Sequence, residues 1–506
     1  MQTISRQFRR RQALACLTLL AATLGGCTVG PDFHRPAFDA PSRYGEIPPA
    51  ARTVAAKVAG GAAQRLAPGA DVPGQWWTLF RSPALTDLVT IALRDSPTIA
   101  AADAALRAAQ EKALQQQGTL FPSISGLISR TRSESPEAYL GLPGPAPLFS
   151  AYDAQLNLSY TLDVWGGLRR AIEQQSAGAA YQRFLLEQAY LQLGAGVAAT
   201  VVQAASLAGQ IEVQRQLIGF EQKQLETVRQ QFELGGATGT DLATQQAQVA
   251  QAQTALVPLQ TALVQARDQL AAYLGRAPSE AAIPALDLDQ LTLPETIPVS
   301  VPAALLSQRP DIRAAEALLH QQTAALGVAI AARLPNLTLT ASAGTDAADV
   351  HQMFSPTNGL WSIVNQAVQP IFDAGQLLHA QRAQRAAMDQ AAAQWRQTVV
   401  VAFQNVADVL AALQNDAVAL RYALDAQTAA ARGLSLAGLQ YKLGGVSYLS
   451  VLTAQQTYQN TVITLIRARA ARFADTVALF QALGGGWWNR DDLPPPPPGL
   501  LSSPLP

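Results

Sequence analysis

The feature that most constrains this sequence is that its second half repeats the first. The residues from Phe232 to Asp241 read FELGGATGTD, and those from Tyr441 to Ser450, 209 positions later, read YKLGGVSYLS. Two further spacings agree between the halves, because a proline pair stands 25 residues apart in each half and a glycine pair stands 69 residues apart in each. The matched pairs are Pro97 with Pro122, Pro310 with Pro335, Gly166 with Gly235, and Gly375 with Gly444. The chain is therefore predicted to contain two internal repeats, 85–274 and 305–483.

Each repeat is predicted to begin with one helix and two strands. The helix spans about 24 residues from Pro97 or Pro310, because proline is tolerated in a first helical turn and disfavoured inside a helix. Residues 152–163 and 336–343 alternate strictly between apolar and polar side chains, which is the period of a strand. Residues 123–134 and 359–371 alternate less cleanly and are predicted to be the other strand of each repeat.

Each repeat continues with a helix that is longer than a compact domain needs. Residues 166–232 and 375–441 contain no proline, and a helix of 67 residues extends ~100 Å. A Leu-Gly-Gly turn follows, and then a returning helix of ~50 Å over 240–274 or 450–483. Pro258 predicts a kink in the first returning helix, whereas the second copy has Arg467 at this position.

The first 26 residues are predicted to be a lipoprotein signal peptide. Four arginines precede a short apolar segment, Ala13 to Leu24, which is too short to span a bilayer. The segment ends in Leu24-Gly25-Gly26-Cys27, which resembles the lipobox of bacterial lipoproteins. That resemblance implies cleavage before Cys27 and lipidation of its thiol. Thr28 follows where an aspartate would retain the lipoprotein in the inner membrane, so we expect the outer membrane.

Composition excludes several classes of function. The charges balance, with 36 Lys+Arg and 36 Asp+Glu, and the mature chain has no basic block of the kind that binds nucleic acid. The other cysteine, Cys16, leaves with the signal, so no internal disulfide is expected. No wholly apolar run of transmembrane length follows Cys27, and we therefore expect any membrane span to be a β-barrel.

The polar face of the clearest strand is predicted to line a water-filled lumen. A tilted membrane strand needs about ten residues, and residues 152–163 satisfy this length with an apolar face toward lipid. Four strands per chain cannot close a barrel, and an open edge is not tolerated in lipid, so several chains must combine. Two, three or four copies would supply about 8, 12 or 16 strands. The predicted lumen residues are Asp153, Gln155, Asn157, Ser159 and Thr161.

Short segments along the whole mature chain resemble the outer-membrane efflux lipoproteins, the NodT/OprM branch of the TolC outer-membrane factor family. Each segment is weakly specific alone, but together they occur in the family's order on the doubled plan. They are Cys27 to Phe33, Trp76-Trp77 with Phe80 and Leu85, Leu274 to Pro278, Arg309 to Ile312 with Ala315-Glu316, and Ala482 to Trp487.

The resemblance implies an α+β membrane protein that forms a trimer. A 12-stranded β-barrel would continue into a 12-helix α-barrel and serve as a passive exit duct for small molecules and drugs. The implied location is the outer membrane, lipid-anchored and barrel-spanning, with a periplasmic tunnel. The implied partners are a periplasmic adaptor and an inner-membrane transporter. The predicted organisation is a signal peptide (1–26), a lipidated N-terminal and equatorial segment (27–84), the first repeat (85–274), an equatorial linker (275–304), the second repeat (305–483) and a proline-rich tail (484–506).

The same resemblance implies a gate at the periplasmic tip. Its residues would be Asp241 beside the first turn and Tyr441, Leu449 and Thr453 around the second. Relatives often have an aspartate at the position of Thr453, so we expect a gate that depends on Leu449 packing and an Asp241–Tyr441 hydrogen bond more than on ion pairs. The glycines of the turns, Gly235, Gly236, Gly444 and Gly445, are implied to lie where the adaptor docks.

The sequence bears on three other functions. Catalysis is disfavoured, since the chain has no HExxH motif, P-loop or nucleophile elbow, and no metal or cofactor site is predicted. Asp163 and Asp373 are interpreted as helix N-caps rather than paired acids. A duct for protein or peptide secretion of a type I-like system would keep the same fold. A lipid-anchored coiled-coil scaffold would not conduct ions.

Overall fold

The structure, a computed structural model, describes residues 28–46, 50–134 and 148–490. The predicted signal peptide and Cys27 lie outside these residues, as does most of the predicted tail. The elements, in chain order, are β1 (Arg65–Pro68), α1 (Pro83–Asp95), α2 (Pro97–Gly118), β2 (Ser123–Glu134), β3 (Leu148–Leu162), α3 (Gly167–Glu233), α4 (Gly239–Tyr273), β4 (Thr296–Val299), α5 (Pro302–Gln308), α6 (Pro310–Ala331), β5 (Asn336–Ala347), β6 (Gly359–Val368), α7 (Gln376–Lys442) and α8 (Tyr448–Ala482).

The two halves contain the same elements in the same order. The opening helices α2 and α6 have 22 residues each, the long helices α3 and α7 have 67, and the returning helices α4 and α8 have 35. The helix predictions are confirmed to within a few residues at each end. Proline at the first helical position and glycine after the last turn mark the boundaries in the sequence.

The strand predictions are correct in position and wrong at several ends. β3 begins at Leu148 and stops at Leu162, because the Asp163 carboxylate accepts hydrogen bonds from the first turn of α3 instead. β5 continues to Ala347, since its register with β3 extends four residues past the predicted end. β6 ends at Val368, just before Pro370, which has no backbone N–H to donate.

The long strands form one antiparallel sheet in the order β2-β3-β5-β6. The register places Asn157 of β3 beside Ser125 of β2 and Ser342 of β5, and Ser342 in turn beside Ser362 of β6. β2 and β6 are the edges, and within the described residues the sheet is open. A separate parallel pair, β1 and β4, joins the N-terminal segment to the linker between the halves.

In each half, the two shorter helices lie end to end beside the long one. Both α2 and α4 pack against α3, and α8 packs against α7. Gly275, just after α4, approaches the start of α2 so closely that an added Cβ would stand 2.8 Å from Pro97 Cδ. In the second half, Arg309 before α6 donates to the Ala482 carbonyl at the end of α8, at 2.9 Å. The predicted stacking of the short pieces is therefore observed in both halves.

The main hydrophobic core lies where these helix ends meet, which we call the equatorial region. Trp76, Phe80, Phe473 and Phe480 are almost fully buried there, against residues from α1 and from the middle of α3. α3 contains an 18-residue window of mean hydropathy 1.4, long and apolar enough to cross a membrane by composition alone. Because 61% of that window is buried, we interpret it as a core segment of the equatorial region.

Candidate functional site

The first tip turn, residues 234–238, joins the glycine-capped end of α3 to the start of α4, which has a capping box. Gly235 has φ 77°, and the Gly236 amide donates to the Gln231 carbonyl at 2.7 Å, as in a glycine-capped helix end. The Thr238 hydroxyl and amide both donate to the Asp241 carboxylate, at 2.7 and 2.9 Å. These bonds hold the pKa of Asp241 below its usual value. Asp241 therefore starts α4 as a reciprocal cap.

The second tip turn, residues 443–447, has the same backbone and different side chains. Gly444 has φ 75°, and the Gly445 amide donates to the Gln440 carbonyl at 2.8 Å. Ser450 stands where the first copy has Asp241, and its hydroxyl lies 3.2 Å from that of Ser447. α8 therefore begins without a carboxylate cap.

The structure brings two of the predicted gate residues together. Leu449 and Thr453 line the same groove of about 480 Å³ between α7 and α8, and Leu449 is 65% exposed. The Thr453 hydroxyl donates to the Leu449 carbonyl at 2.9 Å. Within one chain, the described residues show no bond between Asp241 and Tyr441, and the Asp241 carboxylate accepts instead from Thr238. The Tyr441 ring lies instead 5.5 Å from that of Tyr448.

A buried acid just above the tip is a feature that the sequence prediction missed. Gln245 of α4 donates to the Glu221 carboxylate of α3 at 2.6 Å, and Glu221 is only 3% exposed. Burial raises the pKa of Glu221, partly offset by this hydrogen bond. Burial also raises the pKa of Tyr448, with a further contribution from the Glu221 charge. A charged residue inside an Ala/Gln-rich helix is ordinary in sequence, and only the packing of α4 reveals that it is buried.

The sheet has one mainly polar face and one mainly apolar face. Ser129 of β2 donates to Asp153 of β3 at 3.0 Å, and Ser342 and Ser362 are hydrogen bonded at 2.8 Å. These bonds, together with the register, place the predicted lumen residues on one face, although Leu127 and Val364 interrupt it. The opposite face exposes large apolar side chains, which include Ile124, Ile128, Leu156, Trp361 and Ile363.

The junction between sheet and long helices is built by carboxylate caps. The Asp163 carboxylate accepts from the amides of Leu168 and Arg169, at 2.8 and 3.1 Å. Asp373 accepts from the amides of Gly375 and Leu377, both at 2.9 Å. Each carboxylate serves its own helix start, so the interpretation of these residues as caps is confirmed.

The N-terminal segment is fastened to the same junction. The Val29 amide donates to the Trp165 carbonyl at 3.0 Å, and an added Cβ on Gly166 would stand 2.7 Å from a Thr28 side-chain carbon. Arg170, almost fully buried, donates to Asp32 at 2.5 Å and to Glu173 at 2.7 Å. The residue next to Cys27 therefore lies directly below the sheet.

Over the described ranges, no group of three or more histidine, cysteine, aspartate or glutamate side chains could hold a metal ion. At the junction, His320 bonds Glu173 at 2.8 Å and stacks on Phe33 at 4.2 Å. These contacts fasten the N-terminal segment to α6.

Residues 88–276 and 301–485 both match the family model of the outer membrane efflux proteins. The two matches together cover well over half of the chain. The chain belongs to the outer membrane efflux protein family. Each match contains one full set of helices and strands, from the opening helix to the returning one.

Individual members of the family are similar to this efflux protein over nearly their whole length. The probable efflux pump outer membrane protein SepC of Pseudomonas putida is 31% identical over 474 residues, which are 92% of this chain and 95% of SepC. The probable efflux pump outer membrane protein TtgC of the same species is 29% identical over 485 residues, 94% of this chain and 96% of TtgC. The solved outer-membrane channel OprN superposes with a TM-score of 0.80 at 25% identity, covering 91% of this chain and 100% of OprN.

Family membership answers the coarser questions raised by the sequence. The efflux protein has the fold of the outer-membrane channels and is an outer-membrane component of efflux, which is a transport role. The resemblance noted from short sequence segments is therefore confirmed.

Proposed function

We propose that three copies of this efflux protein form a duct that carries small molecules out of the cell, with a 12-stranded barrel in the outer membrane and a 12-helix tunnel below it. One observation carries the proposal: an open four-stranded sheet with an exposed apolar face continues into helices of 67 residues. Unpaired edge backbone is not tolerated in lipid, so β2 of one copy must pair with β6 of another. Three copies give 12 strands, within the range of closed membrane barrels of about 8 or more.

The direction of the duct follows from the connections. Both α3 and α7 leave the same end of the sheet, and each extends ~100 Å before its glycine turn. The tip turns would thus lie deep in the periplasm, where they could meet a periplasmic adaptor and, through it, an inner-membrane transporter. The relatives named as pump components support this assembly, and the cargo class is taken from names such as the toluene efflux pump outer membrane protein TtgF.

Lipidation of Cys27 is part of the proposal. Thr28 packs at the point where β3 gives way to α3, which is the inner face of the membrane if the sheet spans it. An acyl chain on the preceding residue would enter the bilayer there without further chain length. The lumen would be lined by Asp153 and the other polar residues of β3.

The barrel is tested by cross-linking its edges. Leu127→Cys on β2 and Val364→Cys on β6, combined in one chain of the membrane-inserted protein, should give covalent trimers on mild oxidation, because the two positions belong to opposite edges of the sheet. The matched control is Asn157→Cys with Ser342→Cys, neighbours on adjacent strands of one chain, which should cross-link within the monomer. To sample the registers in which the two edges could pair, the β6 cysteine is moved through neighbouring positions on the same face. If the largest cross-linked product is a dimer or a tetramer, the result would contradict a trimer.

A transport assay tests the cargo. Deletion of the gene in its host should raise accumulation of small hydrophobic dyes and antibiotics, and the wild-type gene should reverse this. A mutant that accumulates dyes normally and fails to secrete a protein or peptide would favour the secretion duct instead.

A further inference from the structure

Residues 50–64 of the N-terminal segment form a strap that contacts both α7 and α8. Its contacts centre on Arg472 of α8, which is only 1% exposed. The Arg472 guanidinium donates four hydrogen bonds of 2.9–3.2 Å to the strap, to the carbonyls of Gly60 and Ala62, the hydroxyl of Thr53 and the side-chain oxygen of Gln64. On α7, the Gln414 amide donates to the Ala50 carbonyl at 3.0 Å. The strap is therefore fastened to both helices.

Two carboxyl groups, one from each helix, meet close to this arginine. Asp475 stands one turn after Arg472 on α8, and its side chain lies within hydrogen-bonding reach of Asp416 of α7. The Asp475 Oδ2 atom is buried and has no donor in the described part of the chain, and the buried Nε of Arg472 has no acceptor there either. Two ionised carboxylates in contact repel each other, and burial disfavours each charge. This arrangement therefore needs a proton.

The charges around Asp475 favour that proton. In the described residues, α7 contributes Asp416 and α8 contributes Arg472 to the charges that act on Asp475, whereas α3, which also packs against α8, contributes none. The charged residues of the strap, Arg52 and Lys57, are exposed. Burial raises the pKa of Asp475 to about 7, with a further increase from Asp416 and a partial decrease from Arg472. Burial also lowers the pKa of Arg472 to about 10, so its guanidinium stays charged at neutral pH.

We propose that Asp416 and Asp475 share one proton and thereby form a pH-sensitive clasp between α7 and α8 that keeps the strap in place. With the proton present, one carboxyl group donates a hydrogen bond to the other, and the pair carries a single negative charge near Arg472. Without it, two negative charges face each other, and their repulsion is relieved only when the helices separate enough for water to reach both carboxylates. Because Arg472 lies one turn from Asp475, this movement of α8 also weakens the four hydrogen bonds to the strap.

The direction of the pH effect follows from the two protonation equilibria. An open clasp exposes Asp475 to water, where its pKa returns to about 3.9, so the closed form binds the proton more tightly than the open form. The clasp therefore loses stability as pH rises from about 4 to about 7 and changes little above that. α8 also carries Leu449, so a looser hold on α8 would ease movement of the tip in the duct proposed above, although the clasp itself does not rest on that function.

Hydrogen exchange in the assembled, membrane-extracted protein tests the clasp. The measured quantity is the protection of amides in the strap and in the adjoining turns of α8, corrected for the intrinsic pH dependence of exchange. We expect this protection to fall by up to about tenfold per pH unit between about pH 5 and pH 7, because opening releases one proton, and to level off at higher pH.

The variants separate the proton from the packing. Asp475→Asn places an amide donor against Asp416 and does not titrate, so its protection should be independent of pH and should exceed that of the wild type at about pH 8. Asp425→Asn, at an exposed position of α7, should follow the wild-type curve. Wild-type protection that does not change with pH, or an unchanged slope in Asp475→Asn, would overturn the proposal.

Infrared spectroscopy detects the shared proton directly. Because burial also raises the pKa of Glu221, the measurement uses the Glu221→Gln background. The C=O band of a protonated carboxylic acid should be present in mildly acidic buffer and should disappear as pH rises through about 7. Either Asp416→Asn or Asp475→Asn should remove this band, since each leaves one carboxylate without an acidic neighbour. A band of undiminished strength in both variants, or no band in mildly acidic buffer, would overturn the proposal.

Discussion

At the scale of single residues, the two tip turns share a backbone and differ in what starts the next helix. Asp241 caps α4 from within its own turn, whereas Ser450 at the same place in the second copy leaves the start of α8 less firmly held. The exposed Leu449 stands beside this weaker start. We propose that the second turn, where the apolar side chain also lies, is the half of the gate that moves.

Leu449→Ala should enlarge the opening at the tip. If Leu449 side chains from three copies pack around the axis, their truncation removes apolar contact and widens the pore, so single-channel conductance or open probability should rise. Leu436→Ala, on an exposed face of α7 outside the Leu449 groove, should leave both unchanged. Wild-type conductance in the Leu449 variant would remove this residue from the gate.

Glu221→Gln should stabilise the tip hairpin in a pH-dependent way. Burial raises the pKa of Glu221, so the folded state binds this proton more tightly than the unfolded state and gains stability as pH falls through the raised pKa. Glutamine imitates the protonated acid, so the stability advantage of the variant should be greatest at neutral and higher pH and should shrink on acidification. Hydrogen exchange of α3 and α4 amides measures this, with the exposed Glu226→Gln as control; an advantage independent of pH would contradict it.

At the scale of elements, helix length and strand pattern act together to place the membrane boundary. The sheet ends where Asp163 and Asp373 cap the long helices, and the N-terminal segment is fastened at the same level. Above this level, one face of the sheet is apolar and exposed; below it, apolar side chains turn inward to helix contacts and the equatorial core. At this level the exposed apolar side chains of the sheet give way to helices whose apolar side chains are buried.

Ile128→Arg should impair insertion of the sheet. Ile128 is 82% exposed on the apolar face near the middle of β2, and arginine on a lipid-facing barrel position costs about 2–4 kcal/mol near the bilayer centre. Gln155→Arg, on the polar face of β3, should insert as the wild type does, since its guanidinium would face water. Urea titration of membrane-inserted protein would show the difference, and equal stability of the two variants would contradict the assignment of faces.

At the scale of the whole molecule, one chain is an incomplete object. Its sheet has two free edges in the described residues. In the assembly that we propose, copies complete each other, and the balanced charge and low charged fraction of 14% suit surfaces that face lipid, a lumen and neighbouring copies.

Cys27→Ser should abolish incorporation of labelled palmitate and leave the barrel in the outer membrane. The thiol is the predicted acceptor of the lipid, whereas insertion depends on the apolar face of the sheet. Retained label would refute lipidation at Cys27. Loss of the variant from outer-membrane fractions would show that the sheet does not insert without its anchor.

The sequence by itself determined the elements and their order. Proline at helix starts, Leu-Gly-Gly at helix ends and strict alternation over residues 152–163 are short-range signals, and the structure reproduces them with end shifts of a few residues. Strand ends were less predictable, because β3 stops where the Asp163 carboxylate caps a helix and β5 continues where β3 offers partners.

Only the tertiary structure decided which residues meet. The burial of Glu221 under Gln245, the meeting of Asp416 with Asp475 and the position of Thr28 at the sheet–helix junction all join residues far apart in the chain. The physical reason is that periodicity and turn chemistry act over a few residues, whereas burial of a charge depends on the helix that packs against it. The capping box at Asp241 shows the same division on a small scale, since within one chain the hydrogen bonds of this carboxylate come from Thr238, three residues away.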